Sequence, residues 1–219
     1  LRRNLDAILP GASSVVMLAT DYAVGDSPAA ESVPPGAGRV ARYARGDDYH
    51  DLLRERLSAL AGWLEVRVPG TRARGVVDSA PLAERDFAWL AGLGWFGKNT
   101  MLIDPRSGSY FLLAALVTDL ELPAEEPLDT DHCGTCTACL DACPTGAFPA
   151  PRVLDATKCI AAITIEDHGP VAESRRADLG DWIFGCDVCQ EVCPWNRHAP
   201  GSTEPAFEPR GSEASLSLA

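Results

Sequence analysis

The first 132 residues of this chain contain no cysteine, and all eight of its cysteines fall from position 133 to position 193. Disulfides that staple a domain of this size are not crowded in this way, and no basic, then apolar, then small-residue leader argues for an oxidising compartment, so a disulfide scaffold is excluded. Also missing is any run near the eighteen or so apolar residues that a membrane span requires. The longest apolar stretch, Tyr110 to Val117, has the length of a buried strand, and a soluble protein is expected. Positive charge is scarce too. Lys and Arg number 19 against 31 Asp and Glu, a net charge of −12. Such a balance argues against a protein that grips nucleic acid over its whole surface, because that affinity comes mainly from cations neutralising phosphates. Basic islands remain at Arg39, Arg42 and Arg45, and at Arg67, Arg72 and Arg74; they read either as solvated surface charge or as local nucleic-acid contacts. The chain opens on Leu1 rather than Met and drifts into Pro, Gly and Ser after Asn196, so a fragment or a short form is expected.

What is present is a cysteine pattern. Cys133, Cys136, Cys139 and Cys143 spell C-x2-C-x2-C-x3-C, followed by Pro144. This is the bacterial ferredoxin run, in which three closely spaced thiolates wrap one [4Fe–4S] cubane and the fourth reaches across to a second. Cys186, Cys189 and Cys193 match the last three positions of another such run, again closed by a proline, Pro194, and Cys159 is the remaining candidate for its first position. The exchange rule places Cys133, Cys136, Cys139 and Cys193 on one cluster and Cys143, Cys159, Cys186 and Cys189 on the other. Two zinc sites of four thiolates each would also consume eight cysteines. A third cysteine two residues on, and Cys-Pro ending both runs, is the cluster pattern. Two clusters packed in this way form an electron wire.

The cysteine-free half mixes strands and helices without regular β-α-β alternation, which predicts an α+β layer fold. Ser13 to Tyr22 reads as a buried strand and Val24 to Gly38 as irregular. The apolar positions Leu52, Leu53, Leu57, Leu60, Ala61 and Leu64 predict an amphipathic helix over 47–64. A short strand is expected over 75–78. Ser79 then looks like a helix cap, accepting from the Leu82 N–H with Pro81 in the first turn, and that helix is expected to reach Ala91. Strands are expected over 100–103 and 110–118, around the turn Asp104 to Gly108. Gly92, Gly94 and Gly97 have dinucleotide-loop spacing but follow a helix rather than a strand, so they make no nucleotide fingerprint.

Six segments together resemble the epoxyqueuosine reductase family: RYARGDDYH (42–50), VDSAPLAER (77–85), LGWFGKNTMLI (93–103), CGTCTACLDACPTGA (133–147), KCIAAITIEDHG (158–169) and FGCDVCQEVCPWN (184–196). A plain two-cluster ferredoxin would share only the cysteine runs. The resemblance implies a cytoplasmic, monomeric, cobalamin-dependent oxidoreductase that converts epoxyqueuosine to queuosine in the tRNA anticodon. Residues 1–125 would form a cobalamin- and substrate-binding domain similar to nitroreductase scaffolds. Residues 126–200 would form the ferredoxin-like domain, and 201–219 a tail in place of the helical repeats of long forms. The clusters would pass electrons from an external donor, such as a flavodoxin or ferredoxin, to the cobalt. No Asp-x-His-x-x-Gly is present, so an axial His below a corrinoid has no support. The alternatives are a ferredoxin-type electron carrier, whose first half only docks a partner, and a dehalogenase-like relative on the same scaffold.

The resemblance also assigns roles. Asp78 matches the family's proton donor; by position alone it reads as a helix-cap residue, where the helix dipole favours the ionised form. Tyr43, Tyr49 and His50 would touch corrin or substrate, or serve as surface and cap residues. Lys98, Asn99 and Thr100 leave a glycine-rich loop suited to close approach of a large cofactor, with Leu102 just beyond. Ile160 and Ala161, after Cys159, would bridge a cluster and the corrin. Ala161 and Ala162 stand where relatives are expected to carry polar or aromatic residues. Trp95 and Phe96 are expected in the core, and His132, His168 and His198 on the surface.

Overall fold

The computed structural model describes residues 4–24, 36–210 and 215–217. Most of the stretch expected to be irregular, 25–35, lies outside the described residues. In chain order the elements are β1 (Ser14–Asp21), β2 (Ala37–Val40), α1 (Tyr49–Arg67), β3 (Ala73–Val76), α2 (Glu84–Leu90), β4 (Trp95–Phe96), β5 (Leu102–Ile103) and β6 (Phe111–Thr118). The cysteine-bearing half adds α3 (Ala138–Asp141), α4 (Ile160–Ile165), α5 (Glu173–Leu179), β7 (Trp182–Phe184), α6 (Val188–Glu191) and β8 (Ser215–Ser217). No helix among the described residues is long and apolar enough to cross a membrane.

The chain divides into two units built from alternating segments. The first takes Leu1–Thr20, Asp48–Trp95 and Phe111–Thr130; the second takes Asp21–Asp47, Phe96–Tyr110 and Asp131–Ala219. These units are interleaved along the chain rather than parted at one position. Residues 21–47 and 96–110 belong with the cysteines, because β2 pairs with β7 and the turn after β4 bonds to the cysteine loops.

In the first unit β6 lies between β1 and β3, and β3 runs antiparallel to it from Ala73 opposite Thr118 to Val76 opposite Ala115. Residues Ala114 to Thr118 of β6 are all buried, which is why this strand reads as a continuous apolar run rather than an alternation. Helix α1 starts where Asp48 accepts the His50 N–H at 2.9 Å. Its Leu53 and Leu57 are buried with Val77, Ala114 and Leu116. Contact there is close: a Cβ on Gly75 would sit 2.4 Å from the Leu57 Cβ. Gly75→Ala is therefore expected to cost about 1–3 kcal/mol, read as a lowered midpoint in chemical denaturation. An unchanged midpoint would mean that helix and strand separate freely.

Helix α2 begins at Glu84, not at Ser79. Asp78 takes a left-handed φ of 45°, and the Ser79 hydroxyl turns back to donate to the Val77 carbonyl at 3.3 Å. The expected cap is therefore spent on the Val77 carbonyl just past β3, and residues 78–83 lie outside helix and strand.

In the second unit β2 pairs parallel with β7 and antiparallel with β8. Its core gathers Ala41, Ile160, Ile163, Leu179 and Trp182. The residues after Asn196 do not simply drift. Phe207 is buried, the Ala206 carbonyl accepts the Asp47 N–H at 2.6 Å, and the Arg210 N–H bonds the Arg45 carbonyl at 3.0 Å.

Both arginine islands have internal partners. Arg39 lies over Trp182 and Arg67 over Trp63. Arg42 pairs with Glu191 at 3.5 Å, and Arg45 donates to the Val40 carbonyl at 2.9 Å. Arg72 binds Asp119 and the Pro10 carbonyl, and Arg74 binds the Ile8 carbonyl.

Candidate functional site

The loop before α3 folds on itself where the Cys136 N–H bonds the Cys133 carbonyl at 3.0 Å, and Asp131 accepts the Cys133 N–H at 2.9 Å. It brings Cys133, Cys136 and Cys139 around a cavity of about 300 Å³, and Cys193 completes the ring from the far end of the chain. Cys136 is exposed and Cys193 buried. Among the described residues no three His, Cys, Asp or Glu side chains converge tightly enough to hold one metal ion. The sulfurs of a tetrahedral zinc site would lie about 3.8 Å apart, given its bond length of about 2.3 Å. Four thiols framing a larger space suit a cubane. Burial, and then the negative charge that Cys193, Cys133 and Cys136 would carry, push the Cys139 thiol up.

The other four thiols, Cys143, Cys159, Cys186 and Cys189, are all half-buried. Burial pushes Cys186 up to about 12, with further contributions from Asp187, Cys159 and Cys143. Cys189 is raised by the same cause, then by Cys186 and Cys159. Cys143 accepts the Ala147 N–H at 3.3 Å. The two halves repeat one design: short helices α3 and α6 open in the gap after the second cysteine of each run and pack on each other. Thiols held protonated by burial give up their protons when they ligate a metal.

A buried polar network beside the second group had no local signal in the sequence. Asp187 is 1% exposed, and its carboxylate accepts the Arg42 N–H at 2.7 Å. Burial pushes its carboxyl up to about 6, while the N–H and guanidinium of Arg42 pull the other way. Gln190 joins it, accepting from the Ser109 hydroxyl at 2.9 Å, and Asn196 donates to that hydroxyl and to the Gln190 carbonyl. These partners lie 81 or more residues apart along the chain for Ser109, and 145 for Arg42, so adjacency could not reveal them.

The first unit brings together Tyr49, His50 and Asp78. Non-glycine residues rarely hold a left-handed φ, although Asp tolerates it better than most, and such strain concentrates at functional positions. The Asp78 turn is held by Glu84, whose carboxylate accepts the Asp78 N–H at 2.7 Å. Burial raises the Glu84 carboxyl above its ordinary range, and that N–H opposes the shift. The Asp78 side chain is 62% exposed and lies 3.3 Å from His50 Nε2. Asp48 lies 2.7 Å from His50 Nδ1, and the Tyr49 and His50 rings stack at 4.0 Å. Both ring nitrogens of His50 thus face carboxylates, which leaves neither to ligate a metal.

The remaining candidates fall in the second unit. Tyr43 packs its ring near Tyr22 and Phe184, and Ile160 and Leu102 are each 2% exposed, in the core. Ala161 is half-buried. Lys98 and Asn99 spend their side chains on the cysteine loops, and Thr100 takes a φ of 65°. Trp95 is buried as expected, Phe96 half-buried, and His132 lies edge-on to Trp195.

Residues 132–196 match the family described as a 4Fe-4S double cluster binding domain, which agrees with the thiol geometry. The chain is thus a two-cluster iron–sulfur protein. Residues 2–79 match the family described as Epoxyqueuosine reductase QueG. Epoxyqueuosine reductase of Pseudomonas aeruginosa is 45% identical over 213 residues, which are 97% of this chain and 59% of the relative. That of Synechocystis is 44% identical over 210 residues, covering 95% of this chain and 71% of the relative. The chain belongs to the epoxyqueuosine reductase family, and it spans about three fifths of the length of the Pseudomonas relative.

Among solved structures, epoxyqueuosine reductase with an epoxyqueuosine-modified tRNA-Tyr stem loop superposes with a TM-score of 0.88 at 35% identity, over 98% of this chain and 57% of that one. The Bacillus subtilis enzyme, described with an aspartate-bearing catalytic loop swung out of the active site, gives 0.87 at 35% identity, over 98% and 56%. A catabolic reductive dehalogenase shares the fold at a TM-score of 0.52 and 20% identity, over 88% of this chain and 26% of that one.

Proposed function

We propose that this chain reduces epoxyqueuosine to queuosine in a tRNA anticodon, with Asp78 as proton donor. The observation that carries this reading is the left-handed turn that presents an exposed Asp78 carboxyl to His50. The relatives' activity and the modified stem loop bound by one of them support the choice of substrate. The first unit is read as a cobalamin-binding α+β domain of nitroreductase-like build.

Loss of the epoxide oxygen as water consumes two electrons and two protons. Cys133, Cys136, Cys139 and Cys193 would hold one [4Fe–4S] cluster, and Cys143, Cys159, Cys186 and Cys189 the other. Bound clusters and cobalamin would supply electrons one at a time and a strongly reducing metal centre, respectively. Tyr49 offers a flat face, and His50, engaged by Asp48 and Asp78, serves as a proton relay rather than a metal ligand. Asp78 gives its proton to the departing oxygen, and His50 returns one along its bond to the carboxylate. Of Ile160 and Ala161, Ala161 is the one that stays partly open to a cofactor. Electrons would arrive from a one-electron carrier of the flavodoxin or ferredoxin class.

The deciding experiment is anaerobic. Chain reconstituted with iron, sulfide and cobalamin is mixed with a chemical reductant and a stem loop carrying epoxyqueuosine, and the nucleoside is followed by mass spectrometry. Queuosine is the expected product. A sample with full iron and bound cobalamin that leaves the epoxide intact would overturn the assignment, and one that binds iron but no cobalamin would favour a simple electron carrier.

A further inference from the structure

The turn between β4 and β5 holds both cysteine loops. Lys98 Nζ donates to the Gly134 carbonyl at 2.6 Å and to the Cys136 carbonyl at 2.9 Å. One residue on, Asn99 Nδ2 donates to the Cys189 carbonyl at 3.1 Å, while its Oδ1 accepts the Met101 N–H at 3.2 Å. Asn99 is 3% exposed, so a lost partner here would not be replaced by bulk water.

The turn itself is tightly closed. The Gly97 N–H bonds the Met101 carbonyl at 2.8 Å, and the Thr100 N–H bonds the Gly97 carbonyl at 2.9 Å. A Cβ on Gly97 would lie 2.7 Å from Asn99 Oδ1 and 2.5 Å from Ile103, so a larger residue there would displace the amide. The Lys98 carbonyl is fixed as well, accepting the Arg152 N–H at 2.9 Å. A flexible four-carbon side chain is thereby anchored at both ends.

Lys98 also lines the cavity framed by Cys133, Cys136, Cys139 and Cys193. Beside this loop Asp131 and Arg152 pair with each other at 2.8 Å. Among the described residues the Lys98 ammonium forms no ion pair within 4.0 Å; Asp131 feels its charge but pairs directly with Arg152. A cluster gains one negative charge on reduction, and a nearby cation stabilises the reduced state more than the oxidised one.

We propose that Lys98 sets the reduction potential of the cluster held by Cys133, Cys136, Cys139 and Cys193, raising it, while Asn99 ties the same turn to the loop of the other cluster. This inference rests on the cluster assignment made above. Lys98 is a positioning and tuning residue; it takes no part in the chemistry at the epoxide.

The test is a potentiometric titration of the reconstituted chain, followed by low-temperature electron paramagnetic resonance, for the native protein, Lys98→Met and Lys98→Arg, with iron counted in each. The expected result is one midpoint displaced downward in Lys98→Met, the other unchanged, and both near native in Lys98→Arg. Unshifted midpoints in a fully loaded Lys98→Met overturn the proposal. Should Lys98→Met lose iron, Lys98→Arg must recover both the iron and the native midpoint, and its failure to do so also overturns it. A native chain without about eight irons is a separate result, which removes the cluster assignment and this inference with it.

Discussion

Asp78→Asn is expected to slow epoxyqueuosine reduction by about a hundredfold or more while leaving iron content, cobalamin uptake and thermal midpoint unchanged. Asn has the shape of Asp and also populates left-handed backbone, so the turn at φ 45° and its bond from the Asp78 N–H to Glu84 should survive. The amide can still meet His50, but it cannot release a proton as a carboxylic acid does. The effect should therefore appear in single-turnover rate and not in stem-loop affinity. A native rate in the variant would remove Asp78 from the mechanism and return it to the role of a turn residue.

Removing cysteines in pairs is expected to read out the cluster assignment directly. Cys133→Ala and Cys193→Ala each strip one site, so each should lower iron from about eight to about four per chain. Because both line one cavity, the double variant should lose no more than either single one. Cys133→Ala combined with Cys159→Ala should instead leave almost no iron. If the Cys133 and Cys193 changes were additive, the exchange rule would not apply here, and Cys193 would belong with Cys186 and Cys189.

Features set by neighbouring residues were open to reading in the sequence, and features set by distant partners were not. Strands β1 and β6 and helix α1 follow from β-branched runs and from the leucine stripe, and they form within one or a few residues of where those patterns end. That Cys133, Cys136, Cys139 and Cys193 frame one cavity accords with their spacing, because iron chemistry restricts loop length. Helix α2 starts later than the local sequence suggests because the Ser79 hydroxyl can either accept the Leu82 N–H or donate to the Val77 carbonyl, and only the fold selects the second. Lys98 and Asn99 stood out as residues leaving a glycine-rich loop, yet their partners, 36 to 90 positions away, lie in the cysteine loops. Asp187 sits between two conspicuous cysteines and reads as a surface acid until Arg42, 145 residues earlier, is brought to it. The internal partners of the arginine islands were hidden in the same way, since Trp182, Glu191 and Asp119 lie far from them along the chain.

The alternation of chain segments between the two units has a consequence for biosynthesis. Residues 21–47 and 96–110 leave the ribosome well before Cys193, yet they complete their unit only with Asp131–Ala219. Contacts over such separations close late, because the entropy of a long loop is lost before its contacts form. The cluster-bearing unit is thus expected to mature after translation of the described chain is nearly finished, with iron delivered to a largely synthesised polypeptide. A ferredoxin-sized piece cut at Asp131 would leave behind Arg42, Lys98 and Asn99, so it should take up iron poorly although it retains every cysteine.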